Sequence, residues 1–116
     1  GRSFTLDLKS KSVITLPASL AQAHTLQCLN LSSNRLRELP WAVSQLFSLQ
    51  ELFLDRNELR ELPPDLAQLH GLRELHLSHN QLTEIPHVVA SGALPALKWL
   101  FVGHNPITEL PTALAL

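Results

Sequence analysis

The segment "LQCLNLSSNRLRELP", residues 26–40, places five leucines around Asn34 and ends in proline. Three later segments repeat it: "LQELFLDRNELRELP" from residue 49, "LRELHLSHNQLTEIP" from residue 72 and "LKWLFVGHNPITELP" from residue 97. All four fit L-x-x-L-x-L-x-x-N-x-L-x-x-L-P, and the conservative replacements are Ile85, Val102 and Ile107. Self-similarity of this kind is the signature of a repeat architecture. The chain is therefore predicted to be built from copies of one unit.

The spacing of the copies defines the domain. The repeated asparagines are Asn34, Asn57, Asn80 and Asn105, so the period is 23, 23 and then 25 residues. The two extra residues lie in "HVVASGALPA", where we expect a bulge in the segment that returns to the next strand. A weaker copy, "SFTLDLKSKSVITLP", precedes the four and has lysine in place of asparagine. We expect one domain over residues 1–116, with about five repeats, the first degenerate and the last truncated, within a longer protein.

The sequence of each unit predicts its local structure. Leu29, Asn30 and Leu31 alternate with period two, which predicts a short strand whose leucines share one face. Neighbouring copies then pair as parallel strands and bury their leucines against one another. The repeated asparagine can both donate to and accept from the backbone, so the four asparagines are predicted to form a structural ladder. After each L-P, apolar residues spaced by three predict a 3₁₀ or helical turn.

This pattern resembles the leucine-rich repeat family over essentially the whole chain. The resemblance implies an α/β fold: a right-handed solenoid with five parallel strands on the concave face and short 3₁₀, helical or extended limbs on the convex face. The 23-residue L-P type is similar to the intracellular repeats of Ras-pathway and cell-polarity scaffolds. It implies a non-enzymatic module that binds a protein partner. The alternative is a substrate-recognition or autoinhibitory segment of a larger kinase, GTPase or ubiquitin ligase that lies outside this chain.

Composition narrows the class of partner. Nine lysines and arginines against ten aspartates and glutamates give a net charge of −1, which argues against nucleic-acid binding because that needs a basic patch. No apolar run reaches the ~20 residues of a transmembrane helix, so no membrane insertion is expected. The single cysteine, Cys28, cannot form an internal disulfide, and the chain is predicted to be intracellular and cytoplasmic. If the source is bacterial, delivery into a host cell is an option.

The candidate partner-binding residues flank the strand leucines in the C-terminal half of the predicted concave face. Aromatic residues that the core does not need stand there beside charge, which is the composition of an interface hot spot. The alternative is that the last aromatics cover the end of the sheet or pack on a following repeat. The candidates are Glu51, Phe53, Asp55, Arg56, Glu74, His76, His79, Trp99, Phe101 and His104.

Other kinds of site are less well supported by the sequence. The histidines of this half lack a cysteine neighbour that would complete a zinc site, because Cys28 lies two repeats away from His76. A nucleophilic Cys28 would need a nearby base, and no histidine lies on its own or the adjacent strands, so we expect an ordinary, partly exposed thiol. We therefore predict no metal, no cofactor and no catalytic residue. The last repeat could support self-association.

Overall fold

The structure, a computed structural model, describes residues 4–109 of the 116-residue chain. Five three-residue strands form one open parallel sheet in chain order. They are β1 (Thr5–Asp7), β2 (Cys28–Asn30), β3 (Glu51–Phe53), β4 (Glu74–His76) and β5 (Trp99–Phe101). The predicted repeat solenoid is confirmed, with the strands on its concave face and the short helical limbs on its convex face.

The register of the sheet follows the leucine pattern. The middle residues Leu29, Leu52 and Leu75 stand directly opposite one another, and all three are fully buried. A slip of one residue would turn these leucines to the opposite face of the sheet. The register is therefore set by the need to keep this row of leucines in the core.

The limbs between the first four strands are 3₁₀ helices, as the spacing of three predicted. They cover Ala18–Gln22, Trp41–Gln45 and Pro64–Gln68, and each follows the proline of its L-P pair. Proline fixes φ near −65° and has no N–H, so it suits the turn out of the previous segment. The corresponding proline after β5, Pro111, lies outside the described residues.

The limb between β4 and β5 carries the two extra residues. It forms a short α-helix, α1 (His87–Ala90), in place of a 3₁₀ helix. The backbone N–H groups of Ala90 and Ser91 donate to carbonyls four residues earlier. Gly92 then takes a φ of 77°, a conformation that glycine adopts without steric penalty. The two extra residues therefore change the limb from a 3₁₀ helix to a short α-helix and leave the strand register unchanged.

The repeated asparagines connect successive repeats. Asn57 donates its side-chain amide to the carbonyls of Leu31 and Leu54, both at 3.0 Å. Its side-chain oxygen accepts from the backbone N–H groups of Asn34 at 3.1 Å and Leu36 at 2.9 Å. The side-chain amide of each repeated asparagine bridges the backbone of its own repeat and the preceding one; the other three are Asn34, Asn80 and Asn105. We call these four residues the asparagine ladder.

The interior is a single continuous cluster of leucines, isoleucine and valines that runs through the stacked repeats. None of the helices within residues 4–109 has the length and apolar composition that crossing a bilayer requires.

Candidate partner-binding face

The concave face is lined by the two outer positions of every strand. The first column holds Thr5, Cys28, Glu51, Glu74 and Trp99, and the second column holds Asp7, Asn30, Phe53, His76 and Phe101. Within a column, each side chain stands directly opposite its neighbour on the next strand. Because adjacent strands are about 4.8 Å apart, neighbouring side chains within a column are close enough to contact each other. The chemistry of this face therefore depends on the residues in each column.

Three aromatic rings of the second column form a continuous stack. The ring centroids of Phe53 and His76 are 4.2 Å apart with an interplanar angle of 18°, and those of His76 and Phe101 are 4.4 Å apart at 11°. Phe53 is half-buried and Phe101 is 44% exposed. We call these three residues the aromatic stack; because the rings face one another, it presents a row of ring edges to the concave side across β3, β4 and β5.

The central ring of the stack carries an unsatisfied atom. The Nε2 atom of His76 is buried and has no hydrogen-bond partner. The nearest carboxylate oxygen, Oε2 of Glu74, is 3.9 Å away, which is beyond hydrogen-bond distance. A buried polar atom without a partner lowers stability, so this histidine is not the residue that folding alone would favour at this position.

The first column brings two carboxylates next to an indole. Glu51 stands opposite Glu74, and Glu74 stands opposite Trp99, whose side chain is 55% exposed. Together with Gln50 and Arg73 these three side chains line a small open cleft of about 110 Å³. Like charges directly opposite each other on adjacent strands are unfavourable, and the two carboxylates outnumber the one guanidinium, that of Arg73, so the cleft has an excess of negative charge.

Beyond the strands, three candidate residues occupy the same turn position in successive repeats. Arg56, His79 and His104 have φ values of 56°, 57° and 56°, and the imidazoles of His79 and His104 stack with centroids 4.1 Å apart. Burial lowers the pKa of His79, and the charges of Arg56 and His104 lower it further, against the opposing effect of Asp55. The lowered pKa favours the neutral form of His79, so the permanent positive charge of this turn column is that of Arg56. We call Arg56, His79 and His104 the cationic edge.

The remaining candidate, Asp55, has a structural contact. Its Oδ1 atom accepts a hydrogen bond of 2.8 Å from the backbone N–H of Ser78 in the next repeat. Asp55 is thus held in place between the second column and the turn that contains Arg56. The structure places all ten candidates on the concave side of β3, β4 and β5 and on the turns that follow these strands.

The N-terminal half of the face is small and polar, and Cys28 is its one reactive side chain. The expected partial exposure of this thiol is wrong, because Cys28 is only 9% exposed. Burial raises its pKa to about 11, and the hydrogen bond to Glu51 and the negative charge of Glu51 act in the same direction. The thiol is protonated at neutral pH and is therefore a poor nucleophile.

Exposed aromatic rings also lie on the limbs of the convex side, where the sequence had drawn attention to Trp41 but not to His24 and Phe47. Trp41 is 58% and Phe47 50% exposed, and the rings of His24 and Phe47 lie 6.1 Å apart. The repeat period contained the signal, since residues 24 and 47 are separated by 23 positions. An open groove beside the first two repeats is lined by Ile14 and Arg35 among others; it is separate from the aromatic stack.

Comparison with known proteins identifies the type of repeat. The leucine rich repeat family model matches residues 24–82 and 70–115. Comparison with curated proteins gives no match. Among solved structures, a leucine-rich-repeat protein of Leptospira interrogans is 34% identical with a TM-score of 0.77, over 93% of this chain and 33% of that chain.

Two further structures are similar as well. The BIR2 ectodomain of Arabidopsis thaliana is 37% identical with a TM-score of 0.68, over 90% of this chain and 55% of that one. A chain of the PEPR1–AtPEP1 structure is 33% identical with a TM-score of 0.70, over 91% of this chain and 15% of that one. The chain thus spans between 15% and 55% of the lengths of these three structures.

Proposed function

This chain belongs to the leucine-rich-repeat family, and on that basis we propose that it is a protein-binding module whose partner contacts the concave side of β3, β4 and β5. The observation that carries the proposal is the aromatic stack with Trp99 beside it. These rings lie outside the leucine core, and exposed aromatic residues next to charge dominate binding energy at protein interfaces.

The position of the stack weighs against a purely covering role. If the aromatics served only to close the end of the sheet, they would be confined to β5. Phe53 and His76 lie on β3 and β4, in the interior of the sheet, where both neighbouring strands are present. The structural relative PEPR1, which is in complex with AtPEP1, supports a protein or peptide as the class of partner.

We also propose that the chain itself is non-enzymatic. Its single cysteine is buried and protonated at neutral pH, and the ten candidate residues form an open face on the sheet. The open concave face with its aromatic stack is suited to binding. Nucleophilic catalysis, in contrast, needs a nucleophile, a base and an oxyanion site that converge in one pocket. Location in the cytoplasm and self-association through the last repeat stay predictions; secretion assays and light scattering, respectively, would test them.

The proposal is tested with a triple variant of the exposed rings, Phe53→Ala, Trp99→Ala and Phe101→Ala. Proteins captured from the native source by the unmodified chain are quantified by mass spectrometry and compared with those captured by the variant. Recovery of the specific partners should fall at least about tenfold, since truncation of a hot-spot residue typically costs 2 kcal/mol or more.

The matched control is the double variant Trp41→Ala and Phe47→Ala, which removes exposed rings from the convex side. It should capture the same proteins as the unmodified chain. Circular dichroism establishes that each variant is folded, and single substitutions replace the triple variant if it unfolds. Undiminished capture by a folded ring-truncated variant would refute a concave binding site.

A further inference from the structure

The first column contains a charge arrangement that the fold does not compensate. Glu51 and Glu74 stand directly opposite each other on β3 and β4. Within residues 4–109, the contacts of 4.0 Å or less between a basic nitrogen and a carboxylate oxygen are Arg37–Glu58 and His76–Glu74, and the second is an ion pair only when His76 is protonated. Glu51 and Glu74 are both half-buried, so their carboxylates are partly shielded from water. Two partly shielded carboxylates in register attract a cation between them.

The one basic side chain at the cleft does not take that role in this structure. Arg73 lines the cleft with Gln50, Glu51, Glu74 and Trp99, but its guanidinium makes no ion pair within 4.0 Å in the described part of the chain, and the residue is exposed. On the far side of Glu51, the opposing residue is Cys28, whose protonated thiol supplies no positive charge. Within residues 4–109, no lysine or arginine therefore lies within 4.0 Å of either carboxylate, which leaves room for a cation from a partner.

Trp99 determines which cation fits best. It stands opposite Glu74 on β5 and is more than half exposed, so its indole borders the same cleft as the two carboxylates. A guanidinium can stack on an indole and also donate in a planar fork to carboxylate oxygens, whereas an ammonium acts as a compact point charge. The column of two carboxylates and one indole therefore favours arginine over lysine.

We propose that the partner places an arginine side chain in the cleft between Glu51, Glu74 and Trp99, while an apolar residue beside that arginine covers the aromatic stack. The proposal rests on the proposed function, because it specifies the chemistry of a partner that binds this face. Charge complementarity selects the arginine, and the adjacent second column provides the surface for the apolar residue.

The test uses a displayed library of random twelve-residue peptides, selected on the unmodified chain and then screened against Phe53→Ala. Peptides whose binding is lost with Phe53→Ala report on the concave face. We expect these peptides to be enriched in arginine next to an aromatic or aliphatic residue. The best peptide is then synthesised in two forms, one with arginine and one with citrulline, which keeps the shape of the side chain and removes its charge.

Both peptides are titrated against three chains by calorimetry. On the unmodified chain, citrulline should weaken binding at least about tenfold, as expected for loss of a charge-assisted hydrogen bond. On the double variant Glu51→Gln and Glu74→Gln, the same replacement should change binding less than about twofold, because the two changes remove one interaction. The control variant Glu38→Gln and Glu61→Gln, which neutralises two exposed glutamates outside the strands, should behave like the unmodified chain.

The outcomes separate this inference from the proposed function. If Phe53-dependent peptides show no arginine enrichment, or if citrulline weakens binding equally on all three chains, the arginine assignment is wrong and the concave binding site stands. If the selection yields no peptide that depends on Phe53, both proposals fail. Thermal unfolding of the Glu51→Gln and Glu74→Gln variant, followed by calorimetry, establishes that the variant is folded. A smaller difference between the arginine and citrulline peptides is then not caused by unfolding.

Discussion

The asparagine ladder and the aromatic stack run side by side through the same repeats. They differ in whether their polar side-chain atoms have hydrogen-bond partners. The side chain of Asn57 makes hydrogen bonds with five backbone groups of its own and the preceding repeat, and the residue is 5% exposed. His76, in the middle of the stack, leaves its buried Nε2 atom without a partner. Both rows use the strand spacing to bring like side chains together, but only the ladder completes its hydrogen bonds.

This difference separates residues that stabilise the fold from residues whose side chains the fold does not need for its stability. A side chain that satisfies several buried backbone groups cannot be replaced without leaving those groups unpaired. The concave columns contain instead an unpaired imidazole nitrogen and two opposed carboxylates, Glu51 and Glu74. Such unfavourable features persist where they serve a purpose other than stability, which supports a binding role for this face.

The largest expected effect is at the ladder. Asn57→Ala leaves the buried N–H groups of Asn34 and Leu36 without this partner, whereas the carbonyls of Leu31 and Leu54 keep their bonds from the side chains of Asn34 and Asn80. Since each buried unsatisfied group costs about 1–3 kcal/mol, the free energy of unfolding should fall by at least about 2 kcal/mol. Urea denaturation followed by circular dichroism measures this loss.

Asn30→Ala is the matched control, because Asn30 lies on the concave face and its side-chain oxygen accepts one bond, from the backbone N–H of Ser32. That change should lower the free energy of unfolding by about 1 kcal/mol or less. Equal losses for Asn30→Ala and Asn57→Ala would show that the ladder is no more structural than the concave face.

In the aromatic stack, a substitution is expected to raise the free energy of unfolding instead of lowering it. His76→Phe keeps a ring between Phe53 and Phe101 and removes the unpaired Nε2 atom. The free energy of unfolding should therefore rise by about 1 kcal/mol, the lower end of the penalty for a buried unsatisfied group. Differential scanning calorimetry would detect the rise as a higher Tm. A lower Tm would mean that His76 has a stabilising partner and that the contrast with the ladder is false.

Much of this architecture could be predicted because the leucine spacing is itself the structural constraint. Leu29, Leu52 and Leu75 must share one buried face, and that requirement fixes the strands and their register. The α-helix α1 could not be distinguished from a 3₁₀ turn, because the two differ by one residue in their hydrogen-bond spacing. That choice depends on the two extra residues and on the positive φ of Gly92.

The details of the candidate site were less accessible from the sequence. The period placed the ten candidates on one face, but it could not show that the rings of Phe53, His76 and Phe101 stack. The burial of Cys28 depends on the side chains that pack around it, including Thr5 and Glu51 on the neighbouring strands. Side-chain packing across strands follows from rotamers and neighbours, which a repeat pattern alone does not specify.

A smaller increase in the free energy of unfolding is expected for a substitution in the first column. Glu51→Gln removes one of two like charges that stand directly opposite each other and keeps the shape of the side chain. The free energy of unfolding should rise by a few tenths of a kcal/mol, in keeping with cross-strand pair energies of about 0.2–1 kcal/mol. Because salt screens charge repulsion, the gain measured by urea denaturation should shrink as salt is added. Destabilisation by this change at low salt would contradict repulsion between the two glutamates.

The smallest effect concerns pH and the cationic edge. Burial lowers the pKa of His79 below its usual value of 6.5, and Arg56 and His104 add to the decrease. The folded chain therefore binds this proton less tightly than the unfolded chain does, so the stabilising contribution is complete above pH 6.5 and is lost as the pH falls through the folded pKa. In an NMR titration, His79 should titrate at a lower pH than the histidines of the urea-unfolded chain.

Arg56→Gln removes one of the positive charges and should move the titration midpoint of His79 upward. Lys98→Gln, which removes a positive charge from an exposed residue outside this turn column, is the control and should leave the midpoint in place. If Arg56→Gln leaves it in place as well, the charges of Arg56 and His79 do not interact. The lowered pKa of His79 would then have to come from burial and from His104.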